Sequence, residues 1–152
     1  MELLELLKSN KGTVSSALGK ELAKKILDGD IEMLYQAILY INYEPEIVKS
    51  KNVRAGAAKI IEIVAEKKPE LVAPHLEKLI PALKVPEPQT RWMTIRTFGF
   101  CAEKNTTIAL KGLEFAKEYL HEKAGVCLSG SANLYLGDIG AINEKYAEQV
   151  LP

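Results

Sequence analysis

The chain has two histidines and two cysteines, and neither pair is arranged for chemistry. His75 and His121 fall on different predicted helix pairs. No HExxH, no CxxC and no acidic cluster accompanies either, so a metal ion lacks a ligand set and the histidines read as surface residues. A catalytic thiol needs an activating base, and neither Cys101 nor Cys127 has a histidine at a recognisable spacing. Both lie in apolar, helix-like segments and are expected to be buried reduced thiols, which fits a cytoplasmic setting. The glycines at 125, 130, 137 and 140 form neither GxGxxG nor a glycine loop closed by Lys-Ser/Thr. Small residues at Gly130, Ser131 and Ala132 are instead expected to let two helices approach closely. The reading at this level is no catalytic residue, no cofactor site, no metal site and no enzyme.

Bulk composition points the same way. Of 152 residues, 47% are hydrophobic and 26% charged, enough for a continuous core and an ordinary wetted surface. Twenty basic and twenty acidic residues cancel, and each half of the chain balances by itself. Nucleic-acid binders need a cationic footprint, so nucleic acid is a disfavoured partner. The uncharged runs, such as Met33–Tyr43, are too short to cross a bilayer. Met1-Glu2-Leu3-Leu4-Glu5 is acidic where a secretory signal would be basic.

Apolar residues recur three and four apart in segments broken by short polar or Pro/Gly stretches. The pattern predicts helices over 2–9, 14–28, 31–42, 53–67, 70–83, 89–104, 107–121, 126–139 and 142–151. Asp30 suits an N-cap before Ile31, and Asn105 or Thr106 suits one before the following helix. Pro69 fits a first helical turn, and Pro86 and Pro88 stop any continuation from Leu83. Short connections imply antiparallel neighbours. The predicted class is all-α, with residues 1–152 as one domain.

The segments repeat. Shifting Arg54–Leu83 by 37 residues onto Arg91–Leu120 aligns Arg54 with Arg91, Ala65-Glu66-Lys67 with Ala102-Glu103-Lys104, Leu76-Glu77 with Leu113-Glu114, and Leu83 with Leu120, without a gap. Ile61 falls over Phe98, Val64 over Cys101 and Leu79 over Ala116. Weaker copies flank this pair, from Val14 to Ile41 and from Ala132 to Pro152. Single helix pairs of this size cannot bury an apolar face alone, so neighbouring pairs must stack.

Asn52-Val53-Arg54-Ala55-Gly56-Ala57-Ala58, a long helix, then Leu79-Ile80-Pro81-Ala82-Leu83 resembles the HEAT-repeat pattern. Leu136-Gly137-Asp138-Ile139-Gly140 is similar to the first-helix ending of the phycobilisome-lyase-like branch of that family. The resemblance implies an α-α superhelix, a right-handed solenoid of antiparallel pairs, HEAT/armadillo-like, with about four repeats. It implies that second helices line a concave face and that Arg54 and Arg91 tie repeat to repeat. Bilin lyases and HEAT-like DNA glycosylases are precedents for enzymes of this architecture, but the mixed charges Glu77, Lys78, Lys111 and Glu114 do not make a basic groove.

Aligned second helices bring Tyr40, Lys78 and Phe115 to one equivalent position, with Tyr35 and Tyr119 nearby. Aromatics around a cation are typical of protein-recognition hot spots, and a partner helix or extended peptide could lie along them. The expected function is a protein-interaction or scaffold module. The alternatives are a HEAT-like enzyme or enzyme subunit, lyase-like or glycosylase-like, and a nucleic-acid-binding module. Trp92 is expected as a buried anchor. Ala147, Val150 and Leu151 are expected to leave an apolar face, which predicts a homodimer through the C-terminal helices.

Overall fold

Short polar side chains and prolines start the helices where their chemistry is cheapest. Asp30 accepts the Met33 N–H at 3.2 Å, and Asn105 accepts that of Ile108 at 3.4 Å. Pro69 and Pro88 occupy first turns, where a missing N–H costs nothing. A computed structural model describes residues 2–9, 17–122 and 125–150, and among these there is no strand. The helices are α1 (Leu3–Ser9), α2 (Ala17–Leu27), α3 (Ile31–Tyr40), α4 (Lys51–Lys67), α5 (Pro69–Val72), α6 (Pro88–Phe100), α7 (Thr106–Ala109), α8 (Leu113–His121), α9 (Val126–Gly140) and α10 (Glu144–Val150). The expected helix start at Val14 and the residues Leu151 and Pro152 lie outside the described residues.

One predicted helix changes character. The segment expected as a single helix over 70–83 is a short α5 that continues as 3-10 helix from Ala73 to Lys84. Pro74 and Pro81 are the reason: each removes an N–H and crowds the carbonyl four residues back. Tighter 3-10 winding carries the chain through both. A shorter 3-10 turn, Leu110–Gly112, joins α7 to α8.

Packing follows chain order. Helix α4 packs against α2 and α6, and α6 packs against α4 and α9. Helix α3 lies on α4, the 3-10 stretch on α6, and α8 and α10 on α9. The 37-residue correspondence holds in the core: Ile61 and Phe98, Val64 and Cys101, Ala65 and Ala102, and Leu79 and Ala116 are all buried pairs. It fails at its end, where Leu83 is buried and Leu120 is exposed. No described helix is long and apolar enough to cross a membrane.

The two repeat-equivalent arginines make parallel connections. Arg54 reaches Glu87 with two contacts of 2.8 Å, and Arg91 reaches Glu122 with contacts of 2.6 and 2.8 Å. Each joins the start of one long helix to the segment preceding the next, α4 to α6 and α6 to α9. Environment separates them. Arg54 is 0% exposed and also donates through Nη1 to the carbonyls of Tyr43, Glu44 and Ile47. The Arg91 pair is open to solvent on the Glu122 side, and the arginine holds the Glu122 carboxyl below the usual range.

The expected burial of Cys101 holds, and three other expectations are corrected. Cys101 is buried, donates weakly to the Pro69 carbonyl, and is pushed up by burial to about 12, so it packs as an inert thiol. Cys127, expected to be buried, is exposed on the first turn of α9. Gly130 does not mediate close helix approach, since a Cβ there would meet nothing within 4 Å. Gly99 on α6 does, facing Tyr135 and Asp138 of α9. Finally, Ala147 and Val150 are not left bare, because they pack on α9 at Gly140.

Candidate protein-binding groove

Helix α3 carries two apolar stripes. Leu34, Ala37 and Ile38 turn into the core with Ile41 just beyond the helix, as the helical period requires. A second row four residues apart, Ile31, Tyr35 and Leu39, faces solvent, and Leu39 is 65% exposed. Glu32 is the only charge on this helix. A surface helix normally shows charge on its outer face, so this row is unusual for a chain with so many ionic residues.

The 3-10 stretch forms the other wall. Tyr35, Ile38, Leu39, Asn42 and Lys78 line an open cavity of about 440 Å³. The Asn42 amide donates to the Lys78 carbonyl at 2.9 Å and ties the end of α3 to this wall. His75 meets Tyr35 edge to face, with ring centroids 5.4 Å apart at 71°. Burial, and then the neighbouring Lys78 charge, push the His75 pKa below its ordinary value, so the imidazole is neutral at pH 7. Lys78 is exposed, and among the described residues it joins no ion pair. The result is an apolar strip with one free cation at its edge and a polar floor.

The five residues singled out from sequence divide. Tyr35 and Lys78 come together in this groove. Tyr40 is half-buried and sits edge-on to Tyr43 at 6.2 Å. Phe115 is half-buried beneath the Lys84 ammonium, 5.9 Å from its ring. Tyr119, expected on the groove, is 2% exposed, donates to the Leu83 carbonyl and carries the Arg91 guanidinium over its ring at 5.4 Å. The sequence held the sign of this: the 37-residue shift places Tyr119 over Ala82, itself fully buried. Ile31, Leu39, Asn42 and His75 were missed. The 31/35/39 spacing beside the 34/38/41 stripe was the available signal for the first two.

Other expected features settle elsewhere. Trp92 is half-buried against the core, and His121 is exposed at the end of α8. Among the described residues, no three His, Cys, Asp or Glu side chains are placed to hold a metal ion. A charged row crosses α4, α6 and α9: Lys59 contacts Glu62 at 3.1 Å, and Arg96 lies 3.7 Å from Asp138 while stacking 4.3 Å from the Phe100 ring. Burial raises the Glu62 pKa above 4.5, outweighing the lowering effect of Lys59. Its protonated form is therefore favoured in the fold. Glu62's contribution is fully present below pH 4.5 and is lost as pH rises toward its folded value. Glu62→Gln is expected to raise the thermal midpoint at pH 7 and to match the parent protein near pH 4, as read by thermal melts at both pH values.

Comparison with protein-family models, curated proteins and solved structures finds no match to this chain.

Proposed function

We propose that this chain is a protein-interaction module that holds a partner segment in the groove between α3 and the 3-10 stretch. The observation that carries the reading is the exposed Ile31–Tyr35–Leu39 row beside that cavity. Exposed apolar rows bordered by polar groups mark interaction surfaces on soluble proteins. The partner we assign is an amphipathic helix or extended segment with apolar anchors for Tyr35 and Leu39 and a carboxylate for Lys78. Tyr35 supplies a large, rather rigid contact surface already braced by His75. The groove thus fits binding rather than turnover, and no catalytic role is assigned to its residues.

The architecture we assign is HEAT-like, a short right-handed solenoid. It is supported by the α2–α4–α6–α9 packing order and by the matching Arg54–Glu87 and Arg91–Glu122 links. Within that reading α3 and the 3-10 stretch are second helices of adjacent repeats, so the groove spans a repeat junction.

The test compares proteins captured from extracts of the source cells by the parent chain and by Leu39→Asp and Lys78→Glu. A shared partner is expected to lose about tenfold or more in affinity for Leu39→Asp, as for a central contact. Lys78→Glu is expected to weaken it with a reduced salt dependence. Capture unchanged by both substitutions would end the proposal.

A further inference from the structure

We infer that the seat of α1 on α3 and α4 is a helix-binding site, and that a partner helix with two leucines four residues apart occupies it by displacing α1. Helix α1 packs on both of these helices, yet among the described residues no hydrogen bond or ion pair joins it to the rest of the chain. Its Leu6 N–H bonds to the Glu2 carbonyl and its Ser9 hydroxyl to the Leu6 carbonyl, both within the segment itself. What holds it is apolar. Leu3 and Leu7, on one face, are 2% and 1% exposed, and Leu4 and Leu6 are partly buried beside them. Apolar contact is non-directional, so the seat sets few conditions on the helix that fills it.

The seat has a shape of its own. Leu7 enters a notch at Gly56 of α4, where a Cβ would stand 2.7 Å from the Leu7 Cδ2. Among the described residues, Leu7 is the one neighbour within 4 Å of that position. The 37-residue shift places Gly56 over Met93, which is fully buried. Where one repeat supplies a large side chain, the other leaves room for a visiting one. At the rim, the Lys8 ammonium stands 5.6 Å over the Tyr43 ring. That ring is placed by groups outside α1: Arg54 donates to the Tyr43 carbonyl, and Tyr40 meets the ring edge-on. Because α3 also packs directly on α4, the seat persists when α1 leaves.

Helix α1 is a weak occupant. Its seven residues make about two turns, and a helix so short does not form alone in water. Docking must order it as well as bury it, and that ordering offsets much of what its leucines return. Such a segment opens at the low end of the local-unfolding scale, which puts the undocked state on the order of 1–10%. A longer amphipathic helix brings the same side chains with more turns already formed and gives up less on docking. The partner we assign therefore repeats the pattern of Leu3, Leu7 and Lys8, two leucines for the floor and notch and a cation for the Tyr43 face. Gly56 and Tyr43 do not line the groove of Tyr35, Leu39 and Lys78, so this inference stands apart from that reading.

The test is binding of a fluorescein-labelled peptide of residues 1–9, Met-Glu-Leu-Leu-Glu-Leu-Leu-Lys-Ser, read by fluorescence polarisation. In the parent chain α1 competes at the effective concentration set by the short connection of residues 10–16, on the order of millimolar. The peptide is expected to bind the parent only near that concentration. Leu3→Asp/Leu7→Asp empties the seat and is expected to bind the peptide about tenfold to a hundredfold more tightly, the inverse of the undocked fraction. Leu7→Ala puts no charge in the seat and should shift the affinity the same way if a thermal melt shows that the double variant does not fold. Gly56→Leu added to either variant fills the notch and should abolish binding. Equal affinity for parent and variants, no binding to the folded variants at millimolar peptide, or binding indifferent to Gly56→Leu would overturn the inference.

Discussion

Arg54→Met is expected to lower folding stability by about 3–5 kcal/mol, measured as a fall in the urea midpoint at unchanged slope. The guanidinium is fully buried, and all three of its nitrogens have partners. Its removal strands the Glu87 carboxylate, 4% exposed, with only the Thr90 hydroxyl at 2.7 Å. It also takes the donor from the Tyr43 carbonyl and one of two donors from the Glu44 and Ile47 carbonyls, which keep the N–H groups of Ile47 and Ser50. Glu44 sits there at φ 42, a left-handed conformation costly for a residue with a Cβ. The Nη1 contacts and the bond from the Ser50 hydroxyl hold it in place.

The double variant Arg54→Met/Glu87→Met is expected to recover much of that loss, since two apolar groups of similar size remove the stranded charge. A double-mutant cycle reads this directly. Arg91→Met, at the repeat-equivalent position, is expected to cost about 0–1 kcal/mol, because its carboxylate partner is well exposed and screened. Equal costs for Arg54→Met and Arg91→Met would show that burial is not what separates them.

Tyr135→Ala is expected to cost about 3–5 kcal/mol. The ring is fully buried on α9, and its hydroxyl donates to the Ala109 carbonyl at 2.5 Å. Gly112 makes room for it: a Cβ there would stand 3.0 Å from the Tyr135 hydroxyl oxygen and from Ile95 Cδ1. Truncation therefore opens a cavity where α6, α9 and the turn before α8 meet. Tyr135→Phe keeps the ring and loses one hydrogen bond, so about 1 kcal/mol is expected. Urea unfolding of both variants separates the packing from the polar part. A Phe variant as damaged as the Ala variant would place the energy in the hydroxyl.

The helices were legible because their signals are local. Asp30, Asn105, Pro69 and Pro88 act on the first turn of their own helix, and Pro86 and Pro88 end the run from Leu83 regardless of what lies across the fold. Core positions such as Ile61, Phe98 and Val64 were legible too, because period and repeat point the same way. The 3-10 winding over 73–84 was written in Pro74 and Pro81, but apolar periodicity does not separate 3.6 from 3.0 residues per turn over so short a stretch.

The groove was half legible. Tyr35 and Lys78 share it, yet Tyr40 turns toward Tyr43, Phe115 lies under Lys84 and Tyr119 is sealed inside by Leu83 and Arg91. All are aromatic or cationic residues on α3, the 3-10 stretch or α8, and helical spacing gives each an angle about its own axis but not the identity of its neighbour. The sequence by itself determined an all-helical chain, its punctuation and its buried stripe, since these depend on residues within a turn or two. Tertiary structure decided which arginine is desolvated, which glycine is crowded and which aromatic meets water. Those depend on how closely another helix approaches, a distance that side chains far apart in the chain set together.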